Sequence, residues 1–149
     1  MRLETISSGP VRQQVTARLL VETPGPGLTE ITPVLARFVA ESGIGDGVVT
    51  VLCRHTSASL TIQENADPDV RVDLLSALDR LAPRHLPYRH DDEGPDDMPA
   101  HIRTMLSDVS IAIPVMSGRL ALGTWQGVYL IEHRDRPHRR EIAINLTGT

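Results

Sequence analysis

At 149 residues and 16.3 kDa the chain has the length of a single domain, residues 1–149, with one core. A net charge of -4, a pI near 5.8 and the lack of any long basic run exclude the electrostatic footprint of a nucleic-acid binder. No 18-residue apolar segment and no basic-then-apolar opening occur, so secretion and membrane spanning both lack support and the cytoplasm is the expected location.

Residues 1–22 alternate loosely (Val11, Val15, Ala17, Leu19, Val21), predicting strand up to the TPGPG turn at Thr23–Gly27. From Leu28 to Glu41 the apolar Leu28, Ile31, Leu35, Phe38 and Val39 recur at helical steps, with Pro33 near the first turn and Gly43, Gly45 and Gly47 ending the helix. The β-branched run Val48–His55 predicts a buried strand, and Ser59–Gln63 a second. The clearest helix follows: Asp67 caps it, Pro68 takes its first position, Val70, Leu74, Leu78 and Leu81 form its stripe, and Pro83 closes it.

Residues 83–99 hold four prolines, a glycine and five carboxylates, which predicts a surface loop leading into a short helix over Pro99–Leu106 that His101 opens. Four short strands complete the chain, at Ser110–Val115, Arg119–Leu122, Val128–His133 and Glu141–Leu146, with a basic turn at Arg134–Arg140 before the last. With hydrophobic residues at 40% but aromatics at 3%, the core must be built from Val, Ile, Leu and Ala.

Cys53 is the only cysteine, so neither an intrachain disulfide nor a Cys-rich zinc site is available, and metal binding must rest on histidines and carboxylates. Of six histidines, His55, His90, His101 and His133 lie at element ends. Imidazole is the commonest metal ligand, and catalytic zinc takes three protein ligands with a fourth position open. No pair has the spacing of a zinc signature, and scattered, hydrogen-bonded surface histidines explain the pattern equally well; His85 and His138 are assigned to that reading. Cys53 shares a strand face with His55, as a thiolate ligand or, preferably, as an inert core residue.

Glu64 and Asn65 are surplus to the capping of the helix at Asp67, and a carboxylate near an activated water is a general base. The crowded Asp91, Asp92, Glu93, Asp96 and Asp97 stay largely solvated, one or two of them supporting a histidine. Trp125, between Gly123 and Gly127, is a packing anchor or a stacking wall. The cluster Arg134, Arg136, Arg139, Arg140 either grips phosphate or is a solvated turn with one or two arginines turned inward.

Three motifs, His55–Arg71 (HTSASLTIQENADPDVR), Asp96–Ile102 (DDMPAHI) and Gly118–Arg134 (GRLALGTWQGVYLIEHR), occur in an order that resembles the YjbQ-like family over nearly the whole chain. The resemblance implies an α+β fold with a large mixed or antiparallel, partly barrel-like sheet and two to three helices, a homotrimer, and a histidine pocket for a divalent metal. It also implies a weak secondary thiamine-phosphate synthase activity, joining a pyrimidine pyrophosphate to a thiazole phosphate. Carried over by motif, His55, His90 and His101 are the metal ligands, Glu64 or Glu132 is the base with Asn65 beside it, and Trp125, Gln126, Asp97, Arg139 and Arg140 line the substrate pocket.

Three histidines suit zinc or a similar transition metal better than magnesium, which prefers carboxylates and usually accompanies a pyrophosphate. Zinc-assisted hydrolysis of a small ester, amide or phosphoester is therefore the alternative, and a non-catalytic trimeric metal- or ligand-binding protein the third. The expected partners are a phosphorylated small molecule and further copies of the chain, not nucleic acid or membrane.

Overall fold

The computed structural model describes residues 3–5 and 7–149. Strand β1 begins at Gln13 and runs to Thr23, so the expectation of strand over 1–22 is met only from Gln13 onward; positions 1, 2 and 6 lie outside the described residues. Strand β2 is Gly27–Glu30 and helix α1 is Thr32–Ser42. The helix was expected to start at Leu28, but Leu28 pairs with Ile131 in an antiparallel ladder, and sheet pairing overrides the helical periodicity there. Pro33 does occupy the first turn, and Gly43, at φ 73°, supplies the left-handed residue that ends α1.

Gly47, expected among the terminators of that helix, instead opens β3 (Gly47–Cys53). Strand β4 (Ala58–Glu64) and helix α2 (Pro68–Leu81) follow, the Asp67 carboxylate accepting from Asp69 N at 2.9 Å as the N-cap. Helix α3 spans Asp97–Leu106, two residues longer than expected. Pro99 does not mark its start because first-turn N–H groups have no intrahelical partner, so a proline is tolerated anywhere in that turn. The last strands are β5 (Ser110–Met116), β6 (Arg119–Leu120), β7 (Gln126–Glu132) and β8 (His138–Gly148). Arg139 and Arg140 therefore belong to a strand rather than a turn.

All recorded strand pairs are antiparallel, and the expected single sheet is divided into two ladders, ordered β1-β8-β3-β5-β6 and β2-β7-β4. The chain is an α+β protein with three helices and a curled, half-barrel antiparallel sheet. Alternation on β3 and β8 turns Val49, Val51, Ile142, Ile144 and Leu146 inward against Leu35, Val39, Leu60 and Leu130. The chain passes from one ladder to the other between β7 and β8, which puts Glu132, His133 and Arg140 at the seam. Among the described residues no helix is long and apolar enough to cross a membrane.

Candidate metal site and adjoining cavity

Asp97 and His101 are one turn apart on α3, so their side chains share a face, and the preceding loop brings His90 to the same place. One carboxylate oxygen, Asp97 Oδ2, faces both rings, at 2.7 Å from His90 Nε2 and 3.3 Å from His101 Nε2. Donor atoms of these three residues all lie within 4.8 Å of one another. Ligands on a tetrahedral zinc stand roughly 3.3 Å apart, so the donor set fits a small divalent ion.

His101 Nδ1 lies 3.0 Å from the Thr56 carbonyl oxygen, which only accepts, so the ring carries its proton on Nδ1. Its Nε2 faces the same Asp97 oxygen as His90 Nε2, which is the geometry of ligands around a shared cation. The carbonyl partner on the other nitrogen is also the usual support of a metal-bound imidazole. Asp97 is held from behind by Arg134, whose guanidinium bonds Asp97 Oδ1, Asp96 Oδ2 at 2.9 Å and the Glu93 carbonyl at 2.9 Å. Burial pushes the Asp96 carboxyl up, but the Asp135 N–H and Arg134 outweigh it and hold its pKa below the usual range.

A cavity of about 890 Å³ adjoins His101, with Arg54, His55, Ser57 and Ser107 on its wall. His55 reaches this cavity but does not join the cluster. Its Nε2 accepts from Glu141 N–H at 2.7 Å, which fixes the proton on Nδ1 and leaves no lone pair for a metal. Burial, then the charge of Arg140, also lowers its pKa. Asp97, expected as a substrate contact, is the residue that lies with His90 and His101 in place of His55.

Glu132 is corrected as well: it is 1% exposed. Its Oε2 accepts from Thr23 Oγ1 and Arg140 Nε, each at 2.7 Å, and its Oε1 from Arg134 N at 2.9 Å. Burial raises its pKa, but Arg140 and these donors overcome that and hold it below the ordinary value, so it is a structural anion and not a base. Arg140 is consumed by that pair and by the Ser57 carbonyl at 3.2 Å, while Arg139 is exposed and meets Glu22 at 3.5 Å across the β1–β8 ladder. Arg140 is therefore not free for phosphate, whereas Arg139 points to solvent away from the cluster.

Glu64, Asn65, Trp125 and Gln126 gather elsewhere. Asn65 N donates to the Trp125 carbonyl at 3.0 Å, and Glu64 pairs with Gln126 at the far end of β4. The six residue steps from Ala58 to Glu64 put about 20 Å between this group and the histidine end of the strand. Gln126 Oε1 folds back to accept from Gly123 N at 2.8 Å, and Trp125 stands 64% exposed. Within one chain these four do not meet the histidines.

His133 is buried and bonds Ser59 Oγ at 2.7 Å, and Cys53 is a core thiol whose pKa burial raises. Sequence reasoning named Arg134 only as one of four arginines of which one or two turn inward, and it missed the Thr56 carbonyl. The signal for Asp97 was its four-residue spacing from His101, hidden while α3 was started at Pro99.

Fold and site together define a half-barrel α+β protein bearing a two-histidine, one-carboxylate cluster beside a cavity. Residues 17–149 match the family model described as UPF0047 protein YjbQ-like. A UPF0047 protein of Synechocystis is 49% identical over 144 residues, covering 96% of this chain and 98% of the relative. One from Methanocaldococcus jannaschii is 37% identical over 121 residues, covering 81% and 85%. The crystal structure of a YjbQ/UPF0047-family protein from Clostridium acetobutylicum superposes with a TM-score of 0.81 at 39% identity, covering 87% of this chain and 98% of that one. The chain belongs to the YjbQ (UPF0047) family.

Proposed function

We propose that the protein is a metal-dependent enzyme that hydrolyses a small molecule held in the cavity beside His101. The observation that carries this reading is the convergence of His90 Nε2 and His101 Nε2 on one Asp97 oxygen, with His101 Nδ1–H donating to the Thr56 carbonyl. His90, Asp97 and His101 would hold the ion, zinc being the natural choice for two imidazoles and one carboxylate with magnesium the weaker one. When bound, such an ion supplies a water of lowered pKa and polarises a carbonyl or phosphoryl oxygen. Arg134 fixes the carboxylate and Thr56 fixes the imidazole tautomer, so the donor set is preorganised rather than assembled on binding.

The synthase-like transfer of a pyrimidine pyrophosphate is the second reading, supported by family resemblance. It needs cations for two phosphorylated substrates, and Arg140, the buried one of the two expected arginines, is committed to Glu132, which favours hydrolysis. The test is metal titration of protein purified without an affinity tag, with hydrolysis and synthase assays run on wild type and on His101→Ala. Expected are one zinc per chain, an affinity reduced at least roughly 100-fold in His101→Ala, and loss of hydrolysis. No uptake of zinc, or hydrolysis undiminished by His101→Ala, would sink the reading. A drop of many degrees in Tm on chelation, without any hydrolysis, would mark the ion as structural instead.

A further inference from the structure

A second pocket, of about 660 Å³, opens where α2 ends. Arg103, part of its wall, follows His101 by two residues of α3, a rotation of about 200° that puts the two side chains on opposite faces of the helix. The other lining residues are Asp79, Arg80, Pro83, Arg84 and His85, so a single carboxylate stands among three arginines and a histidine.

Arg103 is the floor of this pocket, being 4% exposed, whereas Asp79, Arg80, Arg84 and His85 are all exposed. Its Nη2 donates to the Ala82 carbonyl at 3.1 Å, at the C-terminal end of α2, and meets Asp79 Oδ1 at 2.6 Å. Its Nε is buried and has no hydrogen-bond partner. Leaving a buried charged donor without an acceptor is costly, and an ion outside the polypeptide is one of the few things that explains it. Asp79 offsets little of the charge, because its side chain is 63% exposed and water screens the pair. At the rim Arg84 is pinned by Asp135 Oδ1 at 2.6 Å, and Arg80 has no ion pair among the described residues.

We infer that this pocket binds a phosphate group, free or at the end of a small molecule, with one oxygen on Arg103 Nε and the others on the guanidinium groups of Arg80 and Arg84. Three arginines suit a dianion better than the single charge of a carboxylate, and guanidinium forks match phosphate oxygens. The pocket is larger than the ion alone, so the body of a monoester has room against Pro83. Helix α3 stands between this site and His101, so phosphate binds there whether or not the histidine cluster holds zinc.

The test is calorimetric binding of inorganic phosphate, methyl phosphate and acetate to the full chain at roughly pH 8, where phosphate is a dianion. Wild type should bind phosphate at least roughly tenfold tighter than acetate. Methyl phosphate bound as tightly as phosphate identifies a monoester, and methyl phosphate bound far more weakly identifies the free ion. Arg103→Lys, which keeps the charge and loses the Nε donor, should weaken phosphate roughly tenfold. Arg80→Ala, at an exposed position that the fold does not need, should weaken it roughly three- to tenfold, and Asp79→Asn, which removes the competing carboxylate, should tighten it. His101→Ala should leave phosphate affinity unchanged. No phosphate binding by wild type, acetate bound equally well, or affinity undiminished in Arg80→Ala overturns the assignment. Loss of phosphate binding in His101→Ala overturns it as well, because the anion would then sit on the metal.

Discussion

The imidazole of His133 is 1% exposed, and burial, reinforced by the charge of Arg103, pushes its pKa down to about 4 from an ordinary 6.5. In the unfolded chain the ring takes up a proton near pH 6.5, whereas the folded protein resists protonation until about pH 4. The stability this ring contributes is therefore complete above pH 6.5 and is lost as pH falls toward 4, by about 3 kcal/mol in all. Glu132, whose folded pKa is also depressed, loses its contribution in the same direction at lower pH. Urea denaturation at pH 7, 5.5 and 4 should show this decline, and His133→Gln should flatten it between 6.5 and 4; an unchanged slope in the variant would refute the assignment. The identity of the six histidines was plain in the sequence, but their roles were not. His55 and His133 both sit at strand ends, and what separates them from the cluster is a partner 86 residues away for His55, the Glu141 N–H, and 74 residues away for His133, the Ser59 hydroxyl. Such pairings are set by how the two ladders meet, and no local spacing encodes them.

At the scale of elements, Gly47 and Gly148 face each other in the β3–β8 register. A Cβ on Gly47 would come against the Thr147 carbonyl oxygen, and one on Gly148 against that of Asp46, closer than real Cβ atoms approach. The two glycines let the strands cross tightly at the end of the sheet, so Gly47→Ala must either open the ladder or displace backbone. The expected cost is about 2 kcal/mol and a fall in Tm of roughly 4–8 °C by calorimetry. Gly45→Ala, whose nearest contact is Thr149 O at 4.0 Å, is the control and should cost far less; equal losses would mean that β3 tolerates the methyl. Elements with strong local signals were legible: β3 from its β-branched run, α2 from its Asp67-Pro68 start. The misreadings fall where tertiary contact competes with local pattern. Leu28 fits a helical stripe and a strand equally, and only its Ile131 partner decides between them. Misplacing the start of α3 by two residues had the larger consequence, because it hid the shared face of Asp97 and His101 on which the metal site depends.

For the molecule as a whole, α2 is the anomaly. Its stripe of Val70, Leu74, Leu78 and Leu81 is long enough to cover a core, yet none of its residues is buried, and Val72 and Leu81 stand 59% and 65% exposed. An amphipathic helix in that state gains little from its own chain, because most helical stability comes from packing its apolar face. A second copy is the natural cover, and a trimer is the assembly the family resemblance implies. Light scattering should return three times the 16.3 kDa chain mass. Leu81→Asp, which puts a charge on the face to be covered, should reduce that mass to a single chain while leaving the far-UV circular dichroism unchanged. Because α2 ends at Leu81 and the loop that follows carries His90, separation of the copies should also weaken zinc binding without touching a ligand. A wild-type chain that is monomeric at micromolar concentration would remove the trimer, and a dissociated variant with undiminished zinc affinity would show that each chain holds its site alone.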